Sequence, residues 1–233
     1  MDPRNAVLWT VVAALPIALT APGASGVAAR ATGGTIVGVV TTKEPAPKPI
    51  RITIDPNVCG QSLPDEAVVV DAAGQLANAV VSVTGVKAPS PPDASVSNEG
   101  CRFVPRVGVV RPAGAVKIQS KDPVLHTTHA AQQDGKVLFN VGLPIPNLQL
   151  TKAVEKAGVV TLTCSTHTWM RGYLVVSDEL SAVSGADGKF RLDGVPAGPH
   201  ELRVWHESLK AAGPVNVTVK DGETVTVDVT LIK

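Results

Sequence analysis

The sequence predicts an all-β protein, on three observations. Glycine (21) and proline (19) are frequent and spread out, as many short strands and turns require. Arg-Ile-Thr-Ile-Asp over 51–55 alternates with a clean period of two. The hydrophobic fraction is 44% with only 3% aromatic, so valine and alanine carry the burial. At 233 residues the chain is long enough for one or two domains with a proper core. A net charge of +1 gives no electrostatic case for nucleic acid, so partner docking would rest on local patches.

In chain order, residues 1–29 read as an export signal. Arg4 precedes an apolar run of about 15 residues from Ala6, too short to span a bilayer comfortably. Small residues follow at Ala24-Ser25-Gly26 and Val27-Ala28-Ala29, and cleavage after Gly26 or Ala29 fits both sites. Periplasmic or secreted localisation, without stable membrane insertion, is the expectation. Residues 30–98 read as N-terminal strands over 33–40, 51–55, 68–70 and 79–83, with an Asp71–Gly74 turn and an exposed connector over 87–98 marked by Pro89, Pro91 and Pro92. Residues 99–178 hold further strands over 103–110, bent at Pro105, and over 115–119, 136–140, 158–163 and 172–177. A single helical turn is expected over 151–156.

The chemistry concentrates at Cys164-Ser-Thr-His167-Thr-Trp169-Met170, a short loop between two strand-like runs. A thiolate, an imidazole and a thioether within seven residues are the soft and borderline ligands that copper prefers. The best fourth ligand is His126, in Leu-His126-Thr127-Thr-His129. Taken singly, each residue would be ordinary: a buried thiol, a surface histidine, a core methionine. Together, two imidazoles, one cysteine and a weak axial methionine make the blue-copper set. Zinc is the rival, because Cys and His serve both metals, but a methionine at this spacing favours copper. His129 lies an odd number of positions after His126, so on a strand it faces the other way and is read as a non-ligand.

The Cys-x2-His-x2-Met loop, with an apolar strand after it, resembles the ligand loop of the amicyanin-type cupredoxins, and Leu-His126-Thr127-Thr128-His129 is similar to that family's His-Asn-Val-His. The resemblance covers roughly residues 101–177. It implies a Greek-key β-sandwich holding one type 1 copper ion, with the second loop histidine reaching the surface through an apolar patch. Trp169, Leu143, Ile145 and Pro146 would form that patch, and electrons would leave by His167 and Trp169 to a redox protein of the amine-dehydrogenase or c-type cytochrome kind. Thr127 stands where the family has Asn, which ties the two ligand loops together, and Thr168 where it has Pro.

With Cys164 assigned to the metal, Cys59 and Cys101 remain, and an oxidising compartment would join them. Closing that loop would stabilise by on the order of 4 kcal/mol on the chain-entropy account.

Residues 179–233 have a different texture. Asp187-Gly188, a short alternating strand, Pro-Ala-Gly198 and a longer strand ending Val204-Trp205-His206 resemble the carboxypeptidase regulatory-like, prealbumin-type β-sandwich. Because residues 34–55 look like that family's opening strands, the sandwich is expected to be split around the copper domain. His206 reads as packing or surface.

The functional expectation is therefore an exported blue-copper electron carrier. The alternative is a non-redox copper-holding or cell-surface binding protein. No enzyme is expected: no Ser-His-Asp set or carboxylate pair flanks the site, and five histidines in all leave no second histidine cluster.

Overall fold

The computed structural model describes residues 33–233, so the export-signal reading of residues 1–29 lies outside the described residues. Among the described residues no helix is long and apolar enough to cross a membrane. All of them fall within one compact unit, which contains two hydrophobic cores.

The first core is enclosed by two sheets. One runs β10 (Val137–Leu143), β9 (His126–Gln132), β12 (Gly158–Thr163), β13 (Arg171–Val176), β7 (Val107–Val110). The other runs β11 (Gln149–Val154), β8 (Gly114–Ser120), β5 (Ala94–Asn98), β6 (Phe103–Val104). β7 is parallel to β13 and β5 to β8, so the chain crosses between sheets in Greek-key fashion. Alternation is strict in β8, where Gly114, Val116, Ile118 and Ser120 point inward. A small lobe, β2 (Ile50–Arg51), α1 (Pro56–Cys59) and β3 (Ser62–Leu63), packs Ile50, Ile52, Cys59 and Leu63 onto the same core.

The second core lies between a sheet of β15 (Lys189–Val195), β1 (Gly34–Thr42), β20 (Val229–Ile232) and β17 (Lys210–Ala211), with β19 (Thr224–Thr226) also pairing β1, and a sheet of β14 (Glu179–Val183), β4 (Val80–Lys87), β16 (Gly198–Trp205) and β18 (Val215–Val219). It is thus built from both flanks of the first sandwich. β1 buries every second residue, Gly34 to Thr42, and pairs antiparallel with β15 and parallel with β19 and β20. At the Asp187–Gly188 turn Gly188 has φ +65°, and a Cβ there would lie 2.6 Å from the Val40 carbonyl oxygen.

Several expectations change. Residues 51–55 do not continue as a strand: only Ile50–Arg51 pairs, because Pro56 starts α1. The helical turn expected over 151–156 is strand β11, since pairing with β8 overrides local propensity and Val154 is fully buried. The connector ends earlier than its serines suggested. Residues 94–98 form β5, central in its sheet, with Val96, Ser97 and Asn98 buried. The first sandwich therefore begins near residue 94 and recruits the 50–63 lobe, rather than spanning 99–178 alone.

Candidate metal centre

β9 opens on His126, and its burial alternates, so His126 and Thr128 face the core while Thr127 and His129 face the other way. His129 Nδ1 instead sits 3.4 Å from Thr163 Oγ1. β12 ends at Thr163 and delivers Cys164 to a tight loop, closed where the Met170 N–H donates to the His167 carbonyl at 2.9 Å before β13 begins. His126, Cys164, His167 and Met170 are each at most 3% exposed.

The donor atoms converge. Cys164 Sγ is 4.0 Å from His126 Nδ1 and 3.9 Å from His167 Nδ1, and the two Nδ1 atoms are 3.1 Å apart. Atoms bonded to one ion at about 2.0–2.3 Å leave spacings of this size between themselves. The far edge of each ring is taken. His126 Nε2 is 2.9 Å from Asp122 Oδ2, and His167 Nε2 is 3.0 Å from Asp55 Oδ2. A ring that gives its Nε2–H to a carboxylate presents a lone pair at Nδ1. Two such lone pairs and a thiolate facing one point, all buried, make a site shaped and charged for a cation. Met170 is buried at the end of the same loop.

Burial pushes the Cys164 thiol up, while the Thr127 and His167 N–H groups and the Thr127 hydroxyl, all aimed at its sulfur, pull it down. Those donors favour the thiolate form that binds soft metals. Thr127 supplies both a backbone N–H at 3.3 Å and a hydroxyl at 3.7 Å to Cys164 Sγ, and its Oγ1 accepts the Ser165 N–H at 2.7 Å. Thr127 therefore ties the start of β9 to the loop after β12.

Sequence reasoning missed the two carboxylates. Asp122 Oδ1 and Oδ2 accept the Gly100 and Cys101 N–H groups, both at 2.8 Å, while Oδ2 also meets His126. The Asp122-Pro123 turn four residues before His126 was a usable signal for it. Asp55 stands 112 positions from His167, and nothing local in the sequence points to it.

Cys59 and Cys101 form a disulfide with Cα atoms 5.3 Å apart, and Cys164 is free. The expected surface edge for His167 is not what the structure has: the ring is 0% exposed, beneath Asp55. Of the apolar patch, Leu143 is fully buried, Ile145 is 59% exposed, and Trp169 is half-buried with Nε1–H donating to the Cys101 carbonyl at 3.1 Å. Trp169 packs against the His167 ring at 5.1 Å between centroids.

Residues 134–232 match the family described as carboxypeptidase regulatory-like domain. The match begins inside the first sandwich and runs through β20 of the second. No curated protein matches the chain. Among solved structures, a purple cupredoxin from Nitrosopumilus maritimus is 26% identical over 36% of this chain and 100% of that one, with a TM-score of 0.32. Amicyanin from Paracoccus versutus is 16% identical over 42% of this chain and 97% of that one, with a TM-score of 0.33.

Proposed function

We propose that this chain is an exported type 1 copper protein that carries single electrons between redox partner proteins, with His126, Cys164, His167 and Met170 as the ligands of one copper ion. The observation that supports it is the meeting of two Nδ1 atoms and one thiolate sulfur within 4.0 Å of one another in a buried, strand-anchored site. Copper bound there supplies a one-electron change of oxidation state. The protein's part is to hold one geometry through that change. β9 and β12 pair across Thr163 and His129, which fixes the distance between the two ligand segments. Thr127 bridges their ends and donates to the thiolate. The two carboxylates hold the imidazoles by their outer nitrogens. The disulfide fits an oxidising compartment. With the His167 edge covered, half-buried Trp169, packed on that ring, is the side chain that connects the site towards solvent.

A second reading is a copper-holding or cell-surface binding protein without electron traffic, and the covered His167 edge favours it. Absorption and paramagnetic-resonance spectra of the copper-loaded protein separate the two. The carrier reading expects an intense visible thiolate-to-copper band that is lost in Cys164→Ser and bleached or shifted in His126→Ala, while His129→Ala stays near wild type. Copper binding without that band, or without reversible one-electron reduction, would favour the second reading. Loss of the band in His129→Ala but not in His126→Ala would rewrite the ligand set.

A further inference from the structure

The lobe of residues 50–63 lies outside both sandwiches, yet its centre reaches the metal centre. β2 and β3 pair at Ile50–Leu63 and Arg51–Ser62, and the Ile52 N–H donates to the Gln61 carbonyl at 3.0 Å, so the lobe is a closed hairpin. Its tip is α1, preceded by Asp55. Asp55 has φ +51° and ψ +42°, a left-handed conformation that residues with a Cβ seldom adopt. It also stands directly before Pro56, a position normally driven to extended backbone. The Val58 and Cys59 N–H groups, donating to the Asp55 carbonyl at 2.9 and 2.8 Å, hold it there. So does the Cys59–Cys101 bond, which anchors the tip to the strand connection that Asp122 grips. The sulfur atoms of that bond and a ring nitrogen of His167 lie within 4.8 Å of one another. An unfavourable backbone conformation kept this firmly at the edge of a site asks for a function, and the side chain supplies one: Oδ2 at 3.0 Å from His167 Nε2.

We propose that Asp55 is a positioning residue of the metal centre, carried to it by a disulfide-anchored cap, residues 50–63, that shuts the outer edge of His167 from solvent. This rests on the reading of His126, Cys164 and His167 as metal ligands. By accepting the Nε2–H, the carboxylate fixes the tautomer that leaves the Nδ1 lone pair facing Cys164, and it fixes the ring plane. Its negative charge makes Nδ1 a stronger donor, which favours the more highly charged metal state and lowers the reduction potential. Asp122 does the same for His126, so each ring is held from outside by a carboxylate. The cap distinguishes the two: Asp122 belongs to the sandwich, whereas Asp55 arrives on an added lobe.

The test uses the full chain and its Asp55→Ala, Asp55→Asn and Asp55→Glu variants. In metal-free wild-type protein, nitrogen-15 imidazole spectra should show His167 as a single Nε2–H tautomer, and Asp55→Ala should give a mixture. With copper(II) and a competing chelator, Asp55→Ala should bind roughly 10- to 100-fold more weakly. Asp55→Glu should recover part of that loss. Asp55→Asn keeps the size and an acceptor but removes the charge, so it serves if the alanine variant fails to fold: its tautomer should hold while its reduction potential rises. A wild-type His167 carrying its proton on Nδ1 would overturn the proposal. So would an alanine variant with unchanged affinity and potential, or an asparagine variant with an unchanged potential. If wild-type protein binds no copper, the ligand reading fails, and the metal-free tautomer still decides the role of Asp55.

Discussion

At the scale of single residues, Thr127 joins two segments of the candidate centre with one hydroxyl. Its hydroxyl accepts the Ser165 N–H and faces the Cys164 sulfur, so one side chain joins the loop after β12 to the start of β9. Thr127→Val keeps the shape and removes both contacts, leaving the Ser165 N–H without its acceptor. The expected cost is about 1 kcal/mol of unfolding free energy. On the proposed copper reading, a thiolate with one donor fewer gives more charge to the metal, so the reduction potential should fall and the visible band should shift. Denaturant titration and voltammetry measure the two. An unchanged potential would mean that the backbone N–H of Thr127, at 3.3 Å, carries the whole interaction. Much of the site is legible in the sequence at this scale. Cys164, His167 and Met170 are neighbours, and the parity argument separates His126 from His129 because both lie on one strand. Asp55 was not legible, since no local pattern connects residues 112 positions apart through a turn with an unusual backbone.

At the scale of elements, the pattern was readable where side chains alternate in polarity and unreadable where small polar residues do the burying. β5 is central, but its inward residues include Ser97 and Asn98, so composition pointed to a connector. β11 carries an exposed, helix-compatible sequence on an edge and becomes a strand only through β8. Gly38 makes a sharper test of strand packing. It lies mid-strand in β1 where the chain over 226–228 crosses, and a Cβ there would stand 1.9 Å from the Val227 carbonyl oxygen. Backbone must move to relieve that contact, and the Val227 N–H bond to the Val37 carbonyl, 2.8 Å, moves with it. Gly38→Ala should therefore destabilise by about 2–4 kcal/mol, read as a lower denaturation midpoint of the metal-free protein. A loss under about 0.5 kcal/mol, the range of an ordinary surface change, would show that the β1–β19 contact yields easily.

At the scale of the whole molecule, a buried polar cluster joins the two sandwiches. Arg106, between β6 and β7, places Nε 2.5 Å and Nη2 2.8 Å from the two oxygens of Glu207, which follows β16. Its Nη1 donates to the Arg171 carbonyl at 3.2 Å, and Glu66, just beyond the cap, approaches it at 3.6 Å. His206 is buried beside this cluster. Burial, with the Arg106 charge, brings its pKa down to about 4, from an unfolded value of 6.5. Between those values the unfolded chain takes up a proton that the folded one refuses. This contribution to stability is complete above about pH 6.5 and is lost as pH falls towards 4, by about 3 kcal/mol in total. His206→Gln should flatten that part of the stability profile, measured by urea unfolding at pH 7 and pH 4.5. Equal slopes in the variant and the wild type would place the acid sensitivity elsewhere.

The second sandwich draws strands from both sides of the first, and this sets a timetable for the chain. Val39 donates to Asp228, a residue 189 positions further on. At about 5–20 residues per second of synthesis, the acceptor is made roughly 10–40 s after the donor. Until Lys189–Val195 is made, β1 has no strand of its sheet to lie against, because β15, β19 and β20 all come later. The strands of the first sandwich, from β5 through β13, are complete by Val176 and need none of those later residues to pair their sheets. The first of the described strands is thus among the last to find its place.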